Sequence, residues 1–205
     1  IADSLSRSNV DMEWKLDEMV FERLQNLCGK CDVDLFASKD NHQLENYVSF
    51  KPDPNAVAID AFALSWRNID CYLFPPFSMI SSVLKKLVEE ELRFALLVAP
   101  VWKTQSWFPQ LLHQVAGPCY LLPKTETLLK LPKDPGRQHP LTKMKMGAFS
   151  LSGNACIVEN YQQTLSILSV GLGGTQQRDN IGVINRNGCS FVAKNRLIHL
   201  NQMLI

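Results

Sequence analysis

Cys71-Tyr72-Leu73-Phe74-Pro75-Pro76-Phe77-Ser78 opens as a short apolar run, stops on two prolines and resumes on a serine. An apolar run closed by proline reads as a strand end, because proline has no N–H to give to a ladder. Ser78 then predicts the cap of a helix over about 79–92. Ile80, Val83, Leu84, Leu87 and Val88 fall on one face of it, and Lys85, Lys86, Glu89 and Glu90 on the other. Phe94-Ala95-Leu96-Leu97-Val98-Ala99 follows and is ended by Pro100, the pattern of a strand covered on both faces. Further out, the sequence predicts a helix over 107–115 and a strand over 119–122. Upstream, Val33 to Ala37 reads as a buried strand. Asp17 is placed to cap a helix reaching Leu27, with Gly29 as its stop. Ala56 to Leu64 is apolar except for Asp60 and fits strand or helix.

The order strand, loop, strand, helix, strand, helix, strand predicts an α/β fold. Its sheet is mostly parallel, with helices on both faces in a Rossmann-like arrangement. In such sheets ligands sit beyond the carboxyl ends of the strands. Residues 34–41, 74–77 and 100–107 would then share one rim. The stretch 124–152, rich in Pro, Lys and Gly, reads as a covering extension and linker. Residues 153–205 read as a separate, partly ordered C-terminal segment.

Composition narrows the function classes. With 21 basic and 20 acidic residues the net charge is +1, so total charge gives no argument for nonspecific nucleic-acid binding. Lys124, Lys130, Lys133, Arg137, Lys143 and Lys145 form a basic stretch that suits a solvated loop better than a binding surface. No run reaches the ~18 apolar residues of a membrane span. Six scattered cysteines fit a reduced, intracellular protein, nuclear or cytoplasmic. Cys28-Gly29-Lys30-Cys31 lacks both the strand–helix context of a redox pair and the further ligands of a zinc site. No metal is therefore expected. Gly171-Leu172-Gly173-Gly174-Thr175 lacks the Lys-Ser/Thr ending of a phosphate loop and reads as a turn.

Several residues can carry chemistry, each with a plainer alternative. A double proline after a strand fixes the preceding carbonyl beside the following aromatic ring. That geometry suits an exocyclic amine held by the carbonyl while its base stacks on the ring. It equally suits a strand end packed by Phe74 and Phe77. Asp34, Ala37, Ser38 and Asn41 could hold a cofactor's amine or ribose, or simply build a turn. Asp60 could meet a cofactor hydroxyl or cap a helix. Trp66, Trp102 and Trp107 offer base-stacking surface or core and lid packing. His113 has no evident carboxylate or cysteine partner and reads as structural.

Together these residues resemble a family: the polyproteins of DIRS-type and Ngaro-type retrotransposons, which carry a tyrosine recombinase. Ala2-Asp3-Ser4-Leu5-Ser6-Arg7 is similar to the end of retroelement ribonuclease H domains, where Asp3 would be the last metal-binding carboxylate. Its partner carboxylates are not in this sequence. Residues 31–123 resemble the Dam-like domain of these elements, itself similar to phage adenine methyltransferases. The match runs through Asp34-Leu35-Phe36-Ala37-Ser38, Asn41, Asp60, Trp66, Tyr72, Phe74-Pro75-Pro76-Phe77, Ala99-Pro100, Trp102, Gln105, Trp107 and Phe108. Leu165 to Leu197 loosely resembles the start of the recombinase's helical domain.

The resemblance implies a division into 1–16, 17–123, 124–152 and 153–205. These would be ribonuclease H tail, methyltransferase-like domain, linker and recombinase start, cut from a longer chain. It implies S-adenosylmethionine as cofactor, held by Asp34, Ala37, Ser38, Asn41 and Asp60. Phe74 to Phe77 would be the catalytic turn, and Trp102 and Trp107 would meet DNA. The family's tetrapeptide begins with Asp, Asn or Ser. Phe74 removes that polar side chain, a loss worth ~10²–10³ in rate. The expected function is therefore a degenerate methyltransferase-like module that binds nucleic acid or cofactor, or spaces the polyprotein's other domains. The alternatives are an active adenine methyltransferase and a host-adopted protein-interaction module.

Overall fold

Cys71 and Leu73 belong to one apolar cluster, and Tyr72 between them belongs to another. The same division continues along the neighbouring strands. Ala95, Leu97 and Ala99 oppose Leu96 and Val98, and Phe149 and Leu151 oppose Met146 and Ala148. Period-two alternation of this kind builds one sheet with a core on each face.

The computed structural model describes residues 14–134, 136–137, 139, 144–167 and 188–203. In chain order its elements are β1 (Lys15–Leu16), α1 (Glu18–Cys28), β2 (Val33–Ala37), β3 (Tyr47–Ser49), β4 (Ala58–Ile59) and β5 (Asp70–Leu73). A 3₁₀ turn (Phe77–Met79) leads into α2 (Ile80–Glu89). Then come β6 (Phe94–Pro100), α3 (Trp107–His113), β7 (Val115–Leu121), β8 (Leu129–Lys130), β9 (Met146–Leu151), α4 (Ala155–Thr164), β10 (Gly188–Ala193) and β11 (Arg196–Gln202). β1 and β8 make a small ladder of their own. The other strands form one sheet in the order β10-β11-β7-β9-β6-β5-β2-β3-β4. β4, β3, β2, β5 and β6 are mutually parallel. α2 and α3 bury Leu84, Leu87, Leu111 and Leu112 on one face, and α1 buries Val20, Phe21 and Leu24 on the other. Each such side chain contributes about 1.5–3 kcal/mol on leaving water.

The first helix forms as its end signals predict. The Asp17 carboxylate accepts hydrogen bonds from the amides of Met19 at 3.0 Å and Val20 at 3.3 Å. Gly29 ends the helix at φ 126°, a conformation that side chains disfavour. Lys130 reaches the same Asp17 carboxylate at 2.6 Å. Burial opposes ionisation of Asp17, but Lys130 and the two amides outweigh it and lower its pKa. The helix after the double proline differs from expectation. Ser78 makes no cap bond, the turn through Phe77–Met79 is 3₁₀, and α2 ends at Glu89.

The largest departure lies in 124–152, which is no linker. Its last residues form β9, all six of them buried, wedged antiparallel between β6 and β7. Small residues make the fit. A side-chain carbon on Gly147 would stand 2.8 Å from the Phe149 ring, and one on Gly117 of β7 would stand 2.8 Å from Ser150. The Ser150 hydroxyl donates to the carbonyl of Pro118 at 2.8 Å. The C-terminal segment also differs. Gly188–Ala193 and Arg196–Gln202 form a hairpin where a helical segment was expected, and β11 joins β7 in parallel. Residues 1–13, with Asp3, and residues 168–187, with the glycine-rich turn, lie outside the described residues.

Candidate functional site at the carboxyl rim of the sheet

The parallel strands all point their carboxyl ends to one side. Ser49, Asp60, Ala37, Phe74 and Val101 therefore stand at or just beyond the ends of β3, β4, β2, β5 and β6. Sequence reasoning placed three loops there, and the structure brings those three to the same rim. The side chains gathered along it are largely aromatic and half-buried or buried. Phe77 meets Trp102 edge-on at 5.5 Å and Phe74 at 6.5 Å. A second group joins Phe36, Phe62 and Trp66, with centroids 5.7–6.3 Å apart.

The Phe74-Pro75-Pro76-Phe77 turn is rigid. Pro75 is buried, Pro76 is exposed, and the Pro76 carbonyl accepts from the amide of Met79 at 2.8 Å to open the 3₁₀ turn. Phe74 packs its ring against the α1-side cluster, and Phe77 touches both clusters. No polar side chain occupies the first position of the turn.

Asp34 does not stand on this rim. It is the second residue of β2, opposite Tyr72, and three residues short of the strand end at Ala37, about 10 Å back at a strand's rise. Its side chain is buried, and its carboxylate accepts from the amides of Gln43 at 3.0 Å and Phe36 at 3.4 Å. Burial raises its pKa to about 7, against which those two amides pull downward. Asp34 thus anchors the following loop to its own strand.

Ser38 and Asn41 close that loop on each other. The Asn41 side-chain oxygen accepts from the Ser38 amide at 2.8 Å, and its nitrogen donates to the carbonyl of Trp14 at 3.3 Å. Ala37 is half-buried and pairs with Ser49. Asp60 lies just past the outermost strand β4, three strand positions from β5, roughly 14 Å away at the usual inter-strand spacing. It adopts φ 59° and its carboxylate accepts from the Phe62 amide at 2.9 Å, a turn role. Asp34, Asp60 and Phe74 therefore do not border one opening.

The tryptophans divide. Trp102 is half-buried at the rim. Trp107 is 5% exposed, at the start of α3, so its stacking surface is spent in the core and not offered to a base. Trp66 is fully buried and donates to the carbonyl of Ala61 at 2.7 Å. Burial raises the Cys28 thiol to about 11 and the Cys31 thiol to about 12, which leaves both unreactive. The basic stretch is partly neutralised, since Lys130 pairs with Asp17 and Lys133 with Asp40 at 2.8 Å. Lys143 lies outside the described residues.

A cavity of about 610 Å³ opens elsewhere, between α2, α3 and α4, lined by Ser81, Lys85, Gln110, His113, Gln114 and Glu159 among others. Two rim features escaped the sequence. Leu35 and Phe36 pack against the same cluster because the β2–β3 register shifts between Asp34 and Ala37. Phe50 stands 80% exposed just past the unforeseen strand β3. Pro52 and Pro54, just after it, were its available signal.

A mostly parallel sheet thus carries a Pro-Pro-Phe turn at its carboxyl rim. The model of the DNA N-6-adenine-methyltransferase (Dam) family matches residues 3–134, more than half of the chain. The chain belongs to the Dam family. No curated protein shows a significant match to it. The Dam match ends at residue 134, before β9, although β9 fills the centre of the sheet. Among the described residues no helix is long and apolar enough to cross a membrane.

Proposed function

We propose that this Dam-family domain has kept the fold but not the transfer reaction, and that it serves as a nucleic-acid-binding module within a retrotransposon polyprotein. One observation carries the reading. The polar groups that would hold S-adenosylmethionine are already bonded to the chain's own loops. Both oxygens of Asp34 meet backbone amides, Asn41 is spent on Ser38 and Trp14, and Asp60 closes its own turn.

The residues present do not fit the cofactor, and no methyl-transfer step is derived from them. The end of β2 offers no glycine for close approach and no unengaged carboxylate, and Phe74 offers the target amine no side-chain acceptor. Half-buried rings at Phe74, Phe77 and Trp102 offer bases a π-surface, and stacking of this kind needs no cofactor. The flanking ribonuclease H and recombinase resemblances supply the polyprotein setting, in which the domain's partners would be DNA and its neighbouring domains.

Calorimetry with S-adenosylmethionine, followed by methyl transfer to adenine-containing DNA, tests the proposal. The expected result is no micromolar cofactor binding and no transfer, together with DNA affinity that falls as salt rises. Transfer at any measurable rate would restore the active-enzyme reading. Absence of both cofactor and DNA binding would leave a protein-interaction module.

A further inference from the structure

Phe50 is the most exposed of the large apolar side chains among the described residues, at 80%. An aromatic ring left so far in water has either a partner or a cost, and its surroundings here point to a particular partner. Phe50 is followed by Lys51-Pro52-Asp53-Pro54, in which the prolines limit the backbone. The loop is braced from within. The Tyr47 hydroxyl donates to Asp53 at 2.7 Å, and the Asn55 amide donates to the other carboxylate oxygen at 3.0 Å. His42 stacks on Tyr47 at 4.6 Å, nearly coplanar. The ring is thus presented on a rigid mount.

Charge of both signs stands in the loops around Phe50, with Lys39 and Lys51 set against Asp53 and Asp60. Lys39 follows β2 two residues past Ala37, which pairs with Ser49 next to Phe50, and it is close enough to stabilise ionised Asp53, after the Asn55 amide and the Tyr47 hydroxyl. Those hydrogen bonds hold Asp53 ionised, and Asp40 beside Lys39 pairs with Lys133 at 2.8 Å. Phe50 leaves the carboxyl end of β3 and Phe74 that of β5, with β2 between them. Two inter-strand steps span about 10 Å. A nucleic-acid strand covers that distance in about three stacked nucleotides, at ~3.4 Å each.

We infer that Phe50 stacks on a base of single-stranded nucleic acid, with Lys39 on the adjacent phosphate, so that one strand is led across the rim from Phe50 towards Phe74 and Phe77. This rests on the nucleic-acid reading above. It goes beyond it by fixing an entry point and the form of the strand. A duplex keeps its bases paired and offers the ring no face.

The test uses the full chain and two fluorescein-labelled DNAs, a 20-nucleotide single strand and the 20-base-pair duplex of the same sequence. F50A should weaken single-strand binding by roughly 5–30-fold and leave duplex binding within about twofold, whereas F50W should bind as the parent does. K39A should weaken both probes and lower the salt slope by about one. Thermal melting of each variant separates lost contact from lost fold. Parent binding that is unaffected by F50A sinks this inference while leaving the proposed function standing. No parent binding sinks both. Equal losses from F50A on both probes overturn the single-strand assignment. Val57 and Ile59 are also exposed on the neighbouring edge strand. If F50A dissolves a self-associated species in sedimentation but leaves DNA affinity unchanged, Phe50 belongs to a protein contact instead.

Discussion

The two faces of the sheet are built differently. The face under α2 and α3 is filled by apolar side chains such as Leu73, Leu84, Leu97, Leu111 and Phe149, all fully buried. The face under α1 holds Gln25, Asp34 and Tyr72, each 5% exposed or less. There the Tyr72 hydroxyl and the Gln25 amide nitrogen have no hydrogen-bond partner, and on the α2/α3 side the Gln114 side-chain oxygen has none. A buried polar atom without a partner carries its desolvation cost uncompensated. The apolar face thus carries most of the burial and keeps its polar groups, Gln114 and Gln162, at its edge near His113 and Val115, while the other face sets Asp34 and Tyr72 opposite each other in its strands. Asp34 lies on this second face, where its carboxylate anchors the loop that follows its strand.

Substitutions can break or sharpen this contrast. Phe149→Ala, on the apolar face, should cost about 3–5 kcal/mol in urea unfolding, from lost burial plus an unfilled cavity. If it costs as little as a surface change, the apolar face does not carry the fold. Asp34→Asn should act through pH. The folded chain keeps the Asp34 proton up to about 7, whereas an ordinary carboxyl loses it near 3.8. Between those values the native state binds more protons than the unfolded one. The site's contribution to stability therefore falls as pH rises, and it is level above about 7. In Asp34→Asn that slope should vanish from unfolding midpoints measured across pH 4–8. A profile unchanged by the substitution would place the titration elsewhere.

Asp17→Ala removes a helix cap and the contact with Lys130, and circular dichroism melts should show a loss of about 1 kcal/mol. Tyr72→Phe should have the smallest effect and the opposite sign. Deleting an orphaned hydroxyl while keeping the ring against Phe21 should leave the domain as stable as before, or slightly more so. A clear destabilisation would mean that the hydroxyl has a partner in solution.

The sequence made some of this legible and concealed the rest for physical reasons. The α1 boundaries were readable because capping is local chemistry, with Asp17 supplying an acceptor and Gly29 a permitted φ. β5 and β6 announced themselves through apolar runs closed by proline, and β2 through a run broken only by Asp34. β9 did not. Its Gly147, Ala148 and Ser150 are chosen for close packing between two strands, and small residues carry no hydrophobic signature. β3 was hidden by its brevity, and the terminal hairpin by a resemblance to a helical domain. At the site, the rim and its turn were foreseeable from strand ends and prolines. The fate of Asp34 was not, because whether a carboxylate faces a ligand or its own loop depends on the register shift between Asp34 and Ala37, which no spacing reveals.

The late arrival of β9 bears on how the chain reaches its fold. Val98 pairs with Ala148, and Tyr120 pairs with the same residue from the other side. β6 and β7 thus emerge early and wait with open ladders until residues 146–151 are made. Closure over so long a separation slows folding, and unsatisfied strand edges are sticky in the interval. A gene truncated at residue 134, where the family match stops, should therefore give aggregates rather than a smaller domain. Any useful cut would have to fall beyond Leu151.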